Sequence, residues 1–313
     1  AACSEEEYKI VKTNNKKNIA VIGAGAAGVS FAIYAAKRGH KVSLFEKDSD
    51  IGGQLQLAKE IPGKEDFLET LRYFKVQIKK SGVVLHLNSY VNKHMLLQEN
   101  FDEYVFATGV LPRKPNIDGI DNNKVLLYSE LLKSRPLLGN NFAVIGAGGI
   151  GFDVSIFLLH KNKPHSISDY HNYWGIDSSY KNRGGLSTSG EKILPNVKVH
   201  LLQRKDIKFG RSLGKTTGWI HKRVLHMEKA SMIAGVEYQK ITDKGIVYKK
   251  DQNIITLEVD NIIVCAGQVE NNSLAKDMQQ YGKSVHIIGG ADKALEVDAK
   301  RAIDQGIKLA LHI

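Results

Sequence analysis

The sequence predicts an α/β protein built from two Rossmann-like, three-layer dinucleotide-binding domains, the second inserted in the first. Short apolar strands alternate with amphipathic helices along almost the whole chain. A strand, a glycine-rich turn, a helix and a second strand follow one another twice, at 18–46 and at 142–204. At 42% hydrophobic and 25% charged residues, the chain has ample material for two cores.

The first repeat and the segment after it predict one parallel sheet covered by helices, because strands alternate with helices there. NIAVIG is an apolar strand that ends in glycine, and the Ala-rich segment after it has helical spacing. The predicted elements are strand 18–23, helix 26–39, strand 41–47, helix 64–82, strand 83–88 and strand 103–109.

The second repeat differs from the first by an insertion. Its second strand ends 53 residues after Gly151, whereas Glu46 follows Gly28 by 18 residues. About 35 residues are therefore inserted, within 160–193. The predicted elements are strand 141–149, helix 150–161, strand 197–204, helix 215–230, short strands 232–241, 245–250 and 253–259, strands 261–267 and 285–290, and helix 294–313.

The domain boundary is predicted near KSRPLLGN (133–140), where proline and glycine interrupt the pattern. This places a second domain at 133–270, inserted into a first domain formed by 17–132 and 271–313. Residues 1–16 have no apolar pattern and are predicted to be an arm.

The net charge of +11 favours an anionic cofactor or partner. The lysines are scattered, without a basic arm or basic residues interleaved with aromatic ones, so nucleic acid is not a predicted partner. No apolar run approaches the ~20 residues of a membrane span, and the start of the chain lacks a signal-peptide pattern. With only Cys3 and Cys265 there is no disulfide framework, which favours a cytoplasmic location.

The first glycine loop has the spacing that binds a dinucleotide. Gly23 allows a tight turn, Gly25 lets the backbone approach a pyrophosphate, and Gly28 lets the helix pack on the strand. Glu46, at the end of the next strand, accepts the ribose hydroxyls and repels a 2′-phosphate. The predicted contacts are Gly23, Gly25, Ala26, Ala27, Gly28, Glu46 and Lys47. This site takes FAD or NAD, but not NADP.

Later segments favour FAD over NAD at this site. A second glycine turn carries Gly53 and Gln54, and a strand ends in Thr108-Gly109, where a larger side chain would collide with the nucleotide. Near the end of the chain, Asp292 is expected to bind a ribityl hydroxyl, and a helix begins close to the flavin carbonyl edge. The residues there are Gly289, Gly290 and Asp292. The alternative for Asp292 is a helix N-cap.

The second glycine loop predicts an NADPH site. Its residues Gly146, Gly148, Gly149, Ile150 and Gly151 join an apolar strand to a helix. At the position that corresponds to Glu46 stand Arg204 and Lys205, which suit a 2′-phosphate. The alternative is two solvated cations at a strand end.

A nearby GKTT segment (214–217) is not a P-loop, because Phe209 stands where that motif requires glycine. It is predicted to start a helix capped by Thr216 or Thr217, and Lys215 is expected to contact the dinucleotide. His160, His165 and His171 are irregularly spaced and are interpreted as solvated loop residues rather than metal ligands.

The chain resembles, over almost its whole length, the C-terminal half of bacterial NADPH-dependent 2,4-dienoyl-CoA reductases, relatives of old yellow enzyme and trimethylamine dehydrogenase. The residues that carry the resemblance are IGGQLQLAKEIPGKEDFLETLRY, IGAGGIGFD, WGIDSS, LLQRK, LGKTTGWIH, VCAGQ and VHIIGG. The resemblance implies a preceding FMN-binding barrel and a [4Fe-4S] segment, with Cys3 as a remaining cluster ligand. It also explains a chain that begins Ala-Ala-Cys. Cys265, in an apolar strand, is predicted to be a core residue.

The resemblance implies an electron-input module. NADPH would reduce FAD, and electrons would pass through [4Fe-4S] to FMN for the reduction of 2,4-dienoyl-CoA in unsaturated fatty acid β-oxidation. Hydride transfer needs no protein acid or base, so no catalytic side chain is assigned. Two alternatives are an NADH-dependent half for another enone or amine substrate, and a non-catalytic adenine-nucleotide module. The two-domain plan resembles that of glutathione and thioredoxin reductases, but a thioredoxin reductase is excluded because there is no CxxC.

Overall fold

The computed structural model describes residues 4, 6–99, 101–134, 136, 138–160, 166–187, 196–211, 213–295 and 298–313. Cys3 and His165 lie outside the described residues, as do 161–165 and 188–193 of the predicted 160–193 insertion. None of the described helices is both long and apolar enough to cross a membrane.

The described strands alternate with helices as the sequence predicts. The strands are β1 (Asn18–Ile22), β2 (Lys41–Phe45), β3 (Val84–His86), β4 (Glu103–Phe106), β5 (Val110–Pro112), β6 (Val125–Leu127), β7 (Asn141–Ile145), β8 (Lys198–Gln203), β9 (Ser231–Ala234), β10 (Glu237–Thr242), β11 (Gly245–Lys250), β12 (Asn253–Glu258), β13 (Asn261–Val264), β14 (Gln268–Glu270) and β15 (Val285–Ile287).

The helices of the described chain are α1 (Ala26–Arg38), α2 (Gln54–Ala58), α3 (Phe67–Ser81), α4 (Lys93–Gln98), α5 (Tyr128–Ser134), α6 (Gly149–His160), α7 (Ile167–Trp174), α8 (Gly218–Met227), α9 (Ser273–Gln280) and α10 (Ala299–His312). Single 3-10 turns lie at Arg183–Gly185 and Gly289–Ala291.

The first compact unit comprises residues 1–113 and 268–313. Its parallel sheet has the order β15-β4-β1-β2-β3. Successive residues of β1 face opposite sides, so Ile19 and Val21 join the core formed with α1, α3 and α10. Ala20 and Ile22 join the other core, to which α4 and α9 contribute. This unit therefore has three layers.

The second compact unit, residues 114–267, repeats this plan. Its parallel sheet has the order β6-β13-β7-β8-β9, so β7 takes the place that β1 has in the first sheet. Helix α6 packs on β7, β8 and α8. Ile246 and Tyr248, on the antiparallel sheet β10-β11-β12, share a core with Ala143 and Ile145 of β7. The predicted fold, with one Rossmann-like domain inserted in another, is confirmed.

The boundary between the units lies at 113/114 and not at the predicted 132/133. Residues 125–127 form β6, which pairs in parallel with β13 of the second sheet. The sequence analysis predicted no strand there, because only three residues form it. The two segments that join the units, β5 and β14, pair antiparallel with Pro112 opposite Gln268.

Two predicted elements have different limits in the structure. The predicted strand 232–241 is two strands, β9 and β10, which belong to different sheets. The chain turns between them at Gly235, whose φ is +71°. The predicted helix 294–313 begins only at Ala299, where Asp298 accepts a hydrogen bond from the Arg301 N–H at 2.7 Å and caps the helix.

Candidate functional site

The first glycine loop follows β1 at the centre of its sheet, where neighbouring strands connect to opposite sides and dinucleotides bind. Gly23 has a φ of +103°, and an added methyl group there would overlap the carbonyl oxygen of Ala107. At Gly28 it would overlap the carbonyl oxygen of Gly23. At Gly25 it would meet no atom within 4 Å. Gly23 and Gly28 thus permit close packing, whereas Gly25 faces open space.

The open space at Gly25 suits a pyrophosphate, which needs close approach to the backbone and to the first N–H groups of α1. Gly25 itself precedes α1 without a side-chain cap, and no acidic residue stands in the first turn. Ala26 is half-buried and Ala27 is buried at the start of the helix. The loop therefore fits the phosphates of a dinucleotide.

Glu46 is 7% exposed and is held in one orientation. Its Oε2 accepts a hydrogen bond from the Ala24 N–H at 2.8 Å, and its Oε1 accepts one from the Asp48 N–H at 3.0 Å. Each carboxylate oxygen has a further lone pair for a ligand hydroxyl. Lys47, the next residue, is exposed.

The predicted second turn of the first site lies against the glycine loop. The Gly52 N–H donates to the Ala24 carbonyl at 2.8 Å, and Gly25 and Gly52 form an isolated bridge. Gly53 has a φ of +53°, and a methyl group on it would lie 3.3 Å from the Cα of Gly25. Gln54 is exposed and begins α2. The structure therefore brings both turns together.

Thr108 and Gly109 lie between β4 and β5. The Thr108 hydroxyl donates to the Asn271 carbonyl oxygen, and the Asn271 N–H donates to the Gly109 carbonyl at 3.0 Å. A methyl group on Gly109 would meet no atom within 4 Å, so packing does not require glycine there. Its φ of +72° does, because residues other than glycine rarely adopt it. Ala107, whose carbonyl oxygen lies against Gly23 and whose Cβ lies against Gly28, was not among the predicted contacts.

The segment 289–295, which we call the 289–295 loop, lies between β15 and α10. A methyl group on Gly289 would lie 2.8 Å from the Cβ of Ala27, and one on Gly290 would lie 2.7 Å from the Cγ1 of Val110. The loop therefore packs against the start of α1. Asp292 is exposed and is not the cap of α10, because Asp298 has that role; the N-cap alternative is wrong.

The second glycine loop has the same geometry as the first. Gly146 has a φ of +106°, and a methyl group there would lie 2.9 Å from the Cys265 carbonyl carbon. On Gly151 it would overlap the Gly146 carbonyl oxygen. Gly148 and Gly149 face open space. Ile150 is half-buried in the first turn of α6. This loop also fits a dinucleotide.

A cavity of about 350 Å³ opens beside Gly148. Its lining includes Lys205, Lys208 and Arg211, which we call the cation cluster, and none of the eight described lining residues is acidic. Gln203 shapes the segment that carries the cluster, because its side-chain amide donates to the carbonyls of Lys205 (2.8 Å) and Ile207 (2.7 Å). The cavity fits a phosphate group on a bound dinucleotide.

The sequence analysis missed Lys208 and Arg211, although a signal was present. Residues 204–211 contain four cations directly after β8. The predicted Arg204 is exposed and does not line the cavity; its charge acts on Tyr238, whose pKa burial raises and Arg204 lowers in part. Lys215 is exposed, also outside the cavity lining, before the N-cap Thr217 of α8.

Two residues outside these sites, His160 and Cys265, have side chains with little exposed surface. His160 and His171 are not loop residues: His171 lies in α7, and His160 ends α6 with a side chain 13% exposed and its Nε2 3.2 Å from Glu228 Oε1. Cys265 is buried as predicted, and burial raises the pKa of its thiol. Among the described residues, no group of three His, Cys, Asp or Glu side chains could hold a metal ion.

The chain is similar to known proteins in three respects: it matches a family model, it has relatives in sequence, and it superposes on solved structures. Residues 17–301 match the model of the family described as pyridine nucleotide-disulphide oxidoreductase. A metal reductase of Desulforamulus reducens is 28% identical, over 97% of this chain and 46% of its own length. A cinnamate reductase of Clostridium sporogenes is 26% identical, over 95% and 40% respectively.

Among solved structures, a 2-naphthoyl-CoA reductase in complex with 2-naphthoyl-CoA superposes with a TM-score of 0.82 and 26% identity. The match covers 99% of this chain and 42% of that one. The chain thus spans less than half the length of these relatives.

Proposed function

Because this chain belongs to the pyridine nucleotide-disulphide oxidoreductase family, we propose that it is an electron-input module that binds FAD in its first unit and NADPH in its second. The observation that carries the proposal is the pair of glycine loops with opposite charge at the ribose position. Glu46 stands beside the first loop, and the cation cluster stands beside the second.

When bound, the two cofactors would supply the redox chemistry, which is the transfer of a hydride with its two electrons from NADPH to FAD and leaves NADP⁺. The protein orients both cofactors. The N–H groups that open α1 and α6 hold the pyrophosphates. Glu46 holds the adenosine ribose of FAD, and Asp292 holds its ribityl chain. The hydride transfer itself would require no proton donor or acceptor from the protein.

We further propose that the electrons leave this chain through the half that its relatives possess in addition. That half would carry FMN and a [4Fe-4S] cluster, with Cys3 as one cluster ligand, in a cytoplasmic enzyme of the 2,4-dienoyl-CoA reductase kind. The similarity to reductases of cinnamate and of an aromatic acyl-CoA supports a conjugated acyl substrate. Unsaturated fatty acid β-oxidation is the corresponding place for a dienoyl-CoA substrate.

The proposal is tested by releasing the flavin from purified protein and identifying it, and by adding NADPH without oxygen. We expect FAD, and we expect its visible absorbance to fall as NADPH is oxidised. With ferricyanide as acceptor, one NADPH should reduce two ferricyanide ions. A colourless protein that holds only an adenine nucleotide would be the non-catalytic module instead. A protein reduced by NADH alone would be the NADH-dependent alternative.

We assign the preference for NADPH to the cation cluster. Each cation within reach of the 2′-phosphate contributes favourable charge–charge energy for NADPH alone, since NADH lacks that group. We expect Lys208→Glu and Arg211→Glu each to lower the ratio of kcat/KM for NADPH over NADH about tenfold, which is about 1.4 kcal/mol.

The control for these variants is Lys240→Glu, an exposed residue of β10 that does not line the cavity. It should leave the ratio unchanged. Arg204→Glu measures whether the exposed Arg204 also reaches the phosphate. If Lys208→Glu and Arg211→Glu keep the wild-type ratio, the cluster does not bind the 2′-phosphate, and the NADPH assignment is lost.

A further inference from the structure

The 289–295 loop is held by side chains from two separate parts of the first unit. Asn272 Nδ2 donates to the Ala291 carbonyl at 3.0 Å, and Glu270 Oε1 accepts from the Ala294 N–H at 2.8 Å. On α10, Arg301 donates to the carbonyls of Lys293 (2.6 Å) and Leu295 (3.2 Å). These bonds fix the backbone of the loop, but none of them reaches the carboxylate of Asp292.

Gln305 is the α10 residue that reaches both the loop backbone and this carboxylate. Its Oε1 accepts a hydrogen bond from the Gly289 N–H at 2.8 Å. Its Nε2 donates to Asp292 Oδ2 at 3.0 Å. The backbone N–H requires an acceptor and the carboxylate requires a donor, so only this orientation of the amide satisfies both partners.

The helix that carries Gln305 cannot shift easily. Gly306, its neighbour, lies against α1, and a methyl group on Gly306 would lie 3.0 Å from the Phe31 nitrogen and closer still to the Ala27 carbonyl oxygen. Since α1 begins in the first glycine loop, Gln305 has a fixed position relative to that loop. Its hydrogen bond to Oδ2 therefore holds the Asp292 carboxylate in place as well.

We propose that Gln305 is a positioning residue for FAD, an inference that rests on the proposed function of the first unit. With its Oδ2 occupied by the Gln305 amide, Asp292 presents its other oxygen to a ligand hydroxyl in a single orientation. The ribityl chain of FAD, with its hydroxyl donors, is the ligand chemistry that this oxygen recognises. Gln305 does not itself contact the cofactor.

Glu270, Arg301, Asp304 and Lys308, four other charged groups near this pair, have partners of their own. Glu270 has a lowered pKa, chiefly through the hydrogen bond from the Ala294 N–H. Asp304 and Lys308 of α10 form an ion pair at 2.9 Å. Arg301 is bound to the loop carbonyls, and Lys293 is the cation next to Asp292 in the chain. No described acidic side chain is hydrogen-bonded to Asp292.

The isosteric variant Gln305→Glu tests the proposal on the full chain. It keeps the acceptor for Gly289 but places a carboxylate oxygen against Asp292. We expect the Kd for FAD, measured by flavin fluorescence with the apoprotein, to rise about tenfold near pH 8. Two adjacent carboxylates raise the pKa of one of them. The shared proton should therefore restore most of the affinity near about pH 5, a pH dependence that wild type lacks.

The matched control is Gln280→Glu, which adds the same charge at an exposed residue of α9. It should keep the wild-type Kd at both pH values. In the Asp292→Asn background, Gln305→Glu should raise the Kd for FAD less than threefold, because the Asn amide donates a hydrogen bond to the new carboxylate. The proposal is overturned if Gln305→Glu binds FAD as wild type does, or if its defect is the same at both pH values and in the Asp292→Asn background. Failure of the wild-type apoprotein to bind FAD would refute the proposed function instead, before any variant is made.

Discussion

At the scale of single residues, Glu103 stabilises the fold. It lies at the N-terminal ends of the strands of the first sheet, whereas the glycine loop lies at their C-terminal ends. Glu103 begins β4 and is 7% exposed. It accepts hydrogen bonds from Lys17 Nζ at 2.5 Å, from His286 Nε2 at 2.9 Å and from the Ser284 hydroxyl. Burial alone would raise the pKa of Glu103, but these hydrogen bonds outweigh it, and the pKa lies below its usual range.

We expect Glu103→Gln to lower the free energy of unfolding by about 2 kcal/mol at pH 7, because hydrogen bonds to a charged group are lost. A folded-state pKa below the unfolded value of about 4.3 means that the carboxylate stabilises the fold above that pH and ceases to do so as the pH falls through the folded pKa. The difference between variant and wild type should therefore shrink below about pH 4. Urea unfolding at several pH values measures it.

The exposed Glu7 provides the comparison, and Glu7→Gln should leave the free energy of unfolding unchanged. A Glu103→Gln difference that is the same at pH 7 and at acid pH would show that Glu103 acts through packing and not through its charge.

At the scale of elements, some glycines of each loop are required for packing, and others leave the space in which a ligand is proposed to bind. We expect Gly28→Ala to destabilise the protein by about 3 kcal/mol, since the new methyl group overlaps the Gly23 carbonyl. We expect Gly25→Ala to leave the stability of the apoprotein within about 0.5 kcal/mol, because the methyl group meets no protein atom. It should nevertheless weaken FAD binding about tenfold or more. Thermal unfolding without cofactor and FAD titration separate the two effects.

The same pair of substitutions can be made in the second glycine loop, with NADPH as the ligand. Gly151→Ala should reduce stability, and Gly148→Ala should reduce NADPH binding alone. If Gly25→Ala lowered the stability of the apoprotein as much as Gly28→Ala does, the space in front of Gly25 would not be a ligand site.

The sequence was sufficient to predict most elements of both sheets, because β1, β2, β7 and β8 are apolar strands followed by glycine or a charged residue. It was not sufficient for β6 or for the break at Gly235. A three-residue strand carries no periodicity, and a change of sheet depends on tertiary pairing. The pairing of β5 with β14 was missed for the same reason.

The candidate sites show the same division. The glycines and Glu46 follow a local spacing, so their positions could be predicted. Gln305 could not, because it lies 13 residues after Asp292 and meets it only through the packing of α10. Lys208 and Arg211 carry a local signal of charge, but their place in the cavity depends on how Gln203 folds the loop.

At the scale of the whole molecule, the second unit is inserted at a hairpin. Pro112 and Gln268 are paired neighbours, so removal of 113–267 leaves two strand ends that a two-residue turn can join. We expect a chain in which Asn-Gly replaces 113–267 to fold and to bind FAD with a Kd close to that of the full chain. Circular dichroism and flavin fluorescence measure both properties.

The complementary fragment 114–267 should fold through its own core and bind NADPH without FAD. If neither fragment folds alone, the two units depend on one another for stability, and the hairpin is not a point of insertion.

The position of β15 and α10 has a consequence for the maturation of the protein. The 289–295 loop and Gln305 are translated well after residues 114–267, and domains generally fold as units during synthesis, beginning with those translated first. During synthesis the unit 114–267 can be complete while the sheet of the other unit still lacks β15. If the first unit binds FAD as proposed, its site is complete only after α10 has emerged, and we expect FAD to bind at a late stage of synthesis.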